Sequence, residues 1–380
     1  MDARRRLATP SKEDEELATE SRQVARLRAQ VSDSKRIHRH QLREIEDLEH
    51  QVAMLLALDK RRAPKPIKVK RRAKRTVTEG LYFQLLSDLH FGEHVRLDQT
   101  QGRNEYNIEI AQERLERCFR QTLHMLNTSR TAWNIPQMLL WLGGDFISGS
   151  IHDELEETND TGLMSQALIV YDSVRAGIDL LLAEGDLEKL LIPCNSGNHG
   201  RVTEKMRISS GEEHCLEWLI YRMLERWYQD EDRIEFQIAN GYNNIVEMFP
   251  DKRGQSLRLN LHHGQALRGG KGIGGIAIPA ANRVAKSAMG LHPDIEGTTV
   301  APAHFYMWGH FHHELRPTPN SLQNGSLIGA SAYSEFLGVP PEIAPAQMAG
   351  VFDADRRLLG QVQPIWTSEI RPDRKRRRTA

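Results

Sequence analysis

The chain has 380 residues, 39% apolar and 27% charged, enough to bury a sizeable core and equal in length to roughly two or three domains. Lysine plus arginine balances aspartate plus glutamate at 51 each, so net charge singles out no partner. The three cysteines, Cys118, Cys194 and Cys215, form neither a zinc nor a redox spacing and no disulfide framework. No apolar run has signal-peptide or transmembrane length, so the expectation is a cytoplasmic protein without a membrane partner.

Residues 1–17 are polar and read as disordered. Residues 18–59 read as a helix or coiled coil. Val24, Val31, His38, Ile45 and Val52 take one seam position and Leu27, Ser34, Gln41, Leu48 and Leu55 the other. A homo-oligomer through this segment and a single amphipathic helix are both compatible with that pattern. Residues 60–77 form a basic linker, opened by Pro64 and Pro66. Ten basic residues and no acidic one lie between Lys60 and Arg75. The tail, 371–380, repeats the charge with Arg371, Arg374, Lys375, Arg376, Arg377 and Arg378. Such blocks bind polyanions, so nucleic acid is the expected partner of both.

The compact domain is expected over 78–370. Leu81 to Ser87 reads as a buried strand delivering Asp88-Leu89-His90. A helix from Asn107, its N-cap, to Asn127 follows. Met138 to Leu142 is a strand running into Gly143-Gly144-Asp145, and a helix covers Thr161 to Ala183. Leu190 to Pro193 is a strand ending at Asn195 to Gly200, and a helix covers Ser209 to Tyr228. Short strands cluster at Ile234–Ile238, Ile245–Phe249 and Leu257–Leu261, the last presenting His262-His263-Gly264. A glycine-rich turn from Gly269 to Gly275 precedes a small helix to Met289. Trp308-Gly309-His310-Phe311-His312 comes next; alternate residues of an extended chain share a face, so both histidines can line one cavity. Ser326–Gly329, Met348–Asp353 and Gln361–Ile365 read as closing strands. The expected class is therefore α/β.

Polar residues thus recur at strand ends, where open α/β sheets carry their sites. The mixture of imidazole and oxygen donors suits Mn2+, Fe or Zn2+; it is too nitrogen-rich for Ca2+ and too oxygen-rich for a thiolate zinc site. There are too many candidates for one tetrahedral ion, and two ions sharing a carboxylate would use them all.

The series Asp88-x-His90, Gly144-Asp145, Gly197-Asn198-His199, His263-Gly264 and Gly309-His310-x-His312, in this order, resembles the calcineurin-like metallophosphoesterase superfamily over Leu81 to Gly329. Asn104-Glu105-Tyr106-Asn107, Gly144 to Gly149, Gly197 to Arg201 and the glycine-rich turn resemble its phage and prophage branch, which implies a bacterial host cytoplasm. The resemblance implies a layered α-β-β-α sandwich holding two divalent metal ions, Mn2+ first, with Fe, Zn2+ or Ni2+ as alternatives. It implies one metal on Asp88, His90 and His312, the other on Asn198, His263 and His310, and Asp145 bridging both. It prefers His263 to His262 because the family ligand directly precedes the glycine. A metal-bridging hydroxide would attack phosphorus, and His199 would serve the leaving oxygen. The sequence departs from the family at Gly200, where most members carry an acidic residue that orients this histidine.

Substrate contacts are expected from Arg201, at the end of the loop, from His152, which faces substrate or solvent, and from Lys271 in the glycine-rich turn. The leading expectation is a phosphodiesterase or nuclease acting on DNA. The alternatives are a phosphomonoesterase on nucleotides or phosphoproteins, and a nucleic-acid-binding assembly protein with a structural metal site.

Overall fold

The computed structural model describes residues 77–151, 157–205, 207, 212–239, 241–250, 255–267, 303–332, 334 and 344–368, together with 35, 41 and 42. The chain divides into two units, Met1–Lys74 and Arg75–Ala380. In the first, Lys35, Gln41 and Leu42 are helical; the coiled-coil, linker and tail expectations lie outside the described residues.

The second unit is mixed α/β. Strands β1 (Thr78–Leu86), β2 (Trp133–Leu142), β3 (Lys189–Cys194) and β4 (Ile234–Ile238) run parallel. They are joined by helices α1 (Ile108–Ser129), α2 (Leu163–Glu184) and α3 (Leu216–Trp227). The strand order advances without reversal, so crossovers of one hand place all three helices on one face. β10 (Ala346–Asp353) and β11 (Leu358–Trp366) extend the sheet antiparallel beyond β1. The second sheet has five strands in the order β5 (Asn244–Met248), β6 (Leu257–His262), β7 (Phe305–Trp308), β9 (Ser321–Gln323) and β8 (Leu315–Thr318).

The apolar run of β1 is buried on both faces, as a central parallel strand requires. Leu81, Phe83 and Leu85 join Leu139 and Trp141 of β2 against Leu259, Leu261, Phe305 and Met307 of the second sheet. Tyr82 and Leu86 face the other way, with Met138, Leu140 and Leu142, into the helices. Gln84 is tolerated on that helical face because Thr122 Oγ1 donates to its Oε1 at 2.9 Å. The two sheets therefore pack face to face, with helices outside the first.

Most predicted elements are present with shifted ends. α1 starts after Asn107, whose side chain accepts from the Ile110 N–H at 2.9 Å. β2 begins five residues earlier than expected and tolerates Pro136 where its register with β1 shifts. The helix expected from Ser209 begins only at Leu216, after a 3-10 turn at Glu212–His214. Cys215 is drawn into an extended bridge with Arg201, and the Val202 N–H bonds to the His214 carbonyl, so this stretch cannot coil. Ser326–Gly329 is a loop, not a strand, because its backbone is bonded elsewhere. The Leu327 N–H goes to the Asp88 carbonyl at 3.0 Å, and Arg114 donates to the carbonyls of Leu327 and Ile328. The small helix to Met289 lies outside the described residues. Among these residues no helix is long and apolar enough to cross a membrane.

Candidate metal centre

Parallel strands β1, β2 and β3 end at one rim of the first sheet, and β6 and β7 end at the facing rim of the second. The loops beyond them remain paired. Asp88 N–H bonds to the Gly144 carbonyl at 2.9 Å, and His90 N–H to the Asp145 carbonyl at 3.0 Å. Gly309 N–H bonds to the His263 carbonyl at 2.7 Å. The sheets are joined where His310 N–H donates to both carboxylate oxygens of Asp88, at 3.0 Å each.

Among the described residues nine that are not glycine have left-handed φ, and five of these are Asp88, His90, Asp145, His310 and His312. Such conformations cost about 1–3 kcal/mol each and persist only where surroundings impose them. Here they turn side chains back over the strand ends. His310 and His312 converge through this turn, at φ 72 and 61, rather than by alternation along a strand. They consequently serve different groups.

The described residues hold three groups whose ligating atoms lie within 4.8 Å of one another: Asp88, His90 and His312; Asp145, His263 and His310; and His90, Asp145 and His199. Asp145 belongs to two of them. Its Oδ2 lies 2.8 Å from His263 Nε2, yet both atoms are buried without an aligned hydrogen bond. His90 Nε2 and His312 Nε2 stand 3.0 Å apart. Asn198 Oδ1 is buried and has no hydrogen-bond partner. Donor atoms crowded together and left unpaired fit a site built for cations, since buried polar groups otherwise find partners. The donor set of imidazoles, carboxylates and one amide suits a first-row divalent ion.

The rings are held in the required tautomer from behind. His263 Nδ1 meets the Gly143 carbonyl at 2.7 Å, leaving Nε2 toward Asp145. His262, its neighbour, points instead to Tyr242, whose hydroxyl lies 3.1 Å from His262 Nδ1. His199 Nδ1 meets the Ser148 carbonyl at 2.8 Å, so a backbone carbonyl orients this ring. The His199 N–H donates to Asp145 Oδ1 at 2.8 Å.

Gly200 now has an explanation. A Cβ there would lie 2.7 Å from Glu217 Cγ and 2.9 Å from Cys215 Sγ. The space belongs to Glu217 of α3, a fully buried carboxylate that sequence reasoning did not single out. It accepts from Phe146 N–H at 2.6 Å and Gly197 N–H at 2.7 Å, clamping the loops after β2 and β3 together. Those loops touch so closely that a Cβ on Gly144 would lie 2.2 Å from Gly197 N. Asp88 has its own buried support. Ser87 Oγ donates to Asp88 Oδ2 at 2.5 Å, and Asn324 Nδ2 donates to Ser87 Oγ at 2.9 Å and to Gln347 Oε1 at 2.7 Å. Gln347, far away in sequence, gave no signal of this.

The Asn104-to-Asn107 motif braces the site from outside. Asn104 Nδ2 donates to the Ile328 and Ala330 carbonyls, and Tyr106 Oη to the Leu89 carbonyl. Arg201 directs one N–H each from Nε, Nη1 and Nη2 to the carbonyls of Thr203, Asn198 and Glu204, leaving two of its five N–H groups for other partners. His152 and Lys271 lie outside the described residues.

Burial raises the Asp88 carboxyl to about 7, with Asp145 adding to the shift. Burial also opposes the charge on Asp145, but His263 and then His199 outweigh it and hold its carboxyl well below the ordinary range. Burial likewise opposes a charge on His263, but Asp145 raises its imidazole overall. Burial lowers His310 to about 4 and His312 to about 3, and takes His90 well below its ordinary value. Those three rings therefore offer lone pairs at neutral pH. No protein-family model matches the chain, and no curated protein matches it.

Two outcomes follow from this geometry. Gly200→Asp should displace Glu217 and lower metal occupancy, and the double variant Gly200→Asp with Glu217→Ala should recover part of it, read by elemental analysis of the folded proteins. Without metal, His263 carries a proton that a cation on Nε2 must displace. Mn2+ uptake at pH 8 should thus release at least one proton, with affinity rising about tenfold per pH unit for each proton displaced. Titration calorimetry in buffers of different ionisation enthalpy measures this.

Proposed function

We propose that this chain is a dinuclear metal-dependent phosphoester hydrolase of the calcineurin-like metallophosphoesterase type. The observation that carries the reading is two adjoining ligand groups, Asp88, His90 and His312 on one side and Asp145, His263 and His310 on the other, linked by a third in which Asp145 stands with His90 and His199. Asp88, His90 and His312 would hold one cation, Asn198, His263 and His310 the other, with Mn2+ the first choice and Fe, Zn2+ or Ni2+ the alternatives. Two such cations, when bound, would supply an acidified water and neutralise charge at phosphorus during in-line displacement.

The chain's own groups do the rest. Asp145 sets the separation of the two halves, because one carboxylate faces both. His199 stands with His90 and Asp145 in the third group, and we place the leaving side of a bound phosphoester near that ring. With Nδ1 fixed on the Ser148 carbonyl, His199 presents Nε2 to hold a proton for the departing oxygen. Ser87, Asn324 and Gln347 keep Asp88 aimed at the site, and Glu217 keeps the loops bearing Asp145 and Asn198 in register.

The substrate we favour is a DNA phosphodiester. Its support is the basic run from Lys60 to Arg75 and the basic tail, which can neutralise phosphates without reading sequence. A phosphomonoester of a nucleotide or phosphoprotein is the alternative outcome of a substrate panel.

With Mn2+ loaded, Asp145→Asn should abolish hydrolysis of bis(4-nitrophenyl) phosphate while the circular dichroism spectrum is kept; full retained activity removes the shared carboxylate from the mechanism. His199→Ala should lower turnover by about 10²–10⁴-fold with metal content unchanged. Loss of metal instead would make it a ligand. Replacing Lys68, Lys70, Arg71, Arg72, Lys74 and Arg75 by Gln in the full chain should weaken DNA binding. It should also flatten the salt dependence, by about 0.9 in log–log slope for each phosphate no longer neutralised. An unchanged slope separates the linker from DNA.

A further inference from the structure

A cleft of about 180 Å³ opens beside the metal centre. Gly197 and Asn198 form its inner wall, so a substrate with its scissile phosphorus at the centre can extend a neighbouring group directly into it. Two arginines, Arg201 and Arg207, and His214 line it, and among the described residues no Asp or Glu does. Arg201 is immobilised by three neutral carbonyls, with Nη1 on Asn198 O at 2.9 Å and Nε on Thr203 O at 3.1 Å. Among the described residues no carboxylate lies within ion-pair distance of it. Its guanidinium is therefore held in one orientation by neutral partners. Tyr242, also on its lining, stacks on His262 with ring centroids 4.9 Å apart and its hydroxyl meets His262 Nδ1.

A concave wall carrying one sign of charge concentrates the opposite sign. A planar guanidinium held at fixed orientation suits phosphate oxygens. The volume is below the roughly 300–1,000 Å³ of sites that enclose a whole drug-sized ligand, and its size suits a compact anion. We infer that this cleft, lined by Arg201, Arg207 and His214, seats a second phosphate of the substrate, adjacent to the one that is cleaved. The inference rests on the hydrolase reading and narrows it to substrates carrying two phosphates in sequence. These are successive phosphates of a nucleic-acid strand or the diphosphate of a nucleotide.

Arg207 is exposed and takes no part in the metal centre, so it can be changed without disturbing the ligands. With Mn2+-loaded full-length protein, kcat/KM is measured for the dinucleotide TpT, its 5′-phosphorylated form pTpT, thymidine diphosphate and bis(4-nitrophenyl) phosphate. Arg207→Ala should lower kcat/KM about tenfold for substrates with a second phosphate, and Arg207→Glu should lower it further. TpT and the aryl diester should stay within about twofold. Loss confined to pTpT identifies a strand as the source of the second phosphate, and loss confined to thymidine diphosphate identifies a nucleotide. An equal loss on all four, or none, overturns the subsite.

If the wild-type protein cleaves none of the four, the hydrolase reading fails by itself. Equilibrium dialysis of inorganic phosphate against the metal-free protein then decides the cleft. Phosphate retained by the wild type and lost in Arg207→Glu upholds the anion site, and equal retention removes it.

Discussion

Three carboxyl groups, those of Asp88, Asp145 and Glu217, are essentially withdrawn from water within one region of the fold. Taking a carboxylate out of water costs several kcal/mol unless opposite charge or hydrogen bonds compensate. Among the described residues the ion-pair partners of Asp88 and Asp145 are imidazoles alone, and Glu217 has two backbone N–H donors. Burial and then the field of Asp145 push the Glu217 carboxyl up to about 7. Such a cluster is poorly compensated by the chain itself. A cation at the converging, unpaired donor atoms would supply further compensation. In the metal-free chain, a proton on His263 does part of this work.

The cluster exists because the strands carrying it are held in register. β1 and β2 pair residue for residue from Leu81 with Gln137 to Leu86 with Leu142, and the pairing continues into the loops through Asp88 and His90. A shift of one residue would exchange the two faces of β1. Phe83 would then face the helices, Tyr82 the second sheet, and Asp88 would miss Gly144. The hydrophobic packing between the sheets thus fixes the ligand positions as well as the core. Only then can five left-handed residues be maintained at the rim, where each alone would relax.

Much of this was legible in the sequence. All five strand-end motifs lie at strand ends, and the histidine preceding Gly264, rather than His262, reaches the centre. Such short motifs are legible because the chemistry sits on residues adjacent in the chain. What escaped was assembled across the chain. Glu217 lies in an ordinary amphipathic stretch of α3, and its only trace was a missing side chain at Gly200. Ser87, Asn324 and Gln347 become one network only after β1, β9 and β10 are brought together. The Ser326–Gly329 segment has strand-like composition, but Arg114 and the Asp88 carbonyl take the groups that a strand would need. Its local propensity loses to long-range hydrogen bonding, and sequence periodicity cannot register such competition.

The close fit of Gly200 against Glu217 also bears on how the site is held together. An acidic residue directly after His199 could orient that ring and add negative charge beside it. Here the two tasks are separated. The Ser148 carbonyl fixes the plane and tautomer of His199 without adding a charge, while the Glu217 carboxylate, on α3, binds backbone N–H groups. Its negative charge then acts on the loops that carry Asp145 and Asn198, more than on the imidazole. Helix α3 thus holds the loops that carry Asp145 and Asn198 through Glu217, while the orientation of His199 comes from the Ser148 carbonyl.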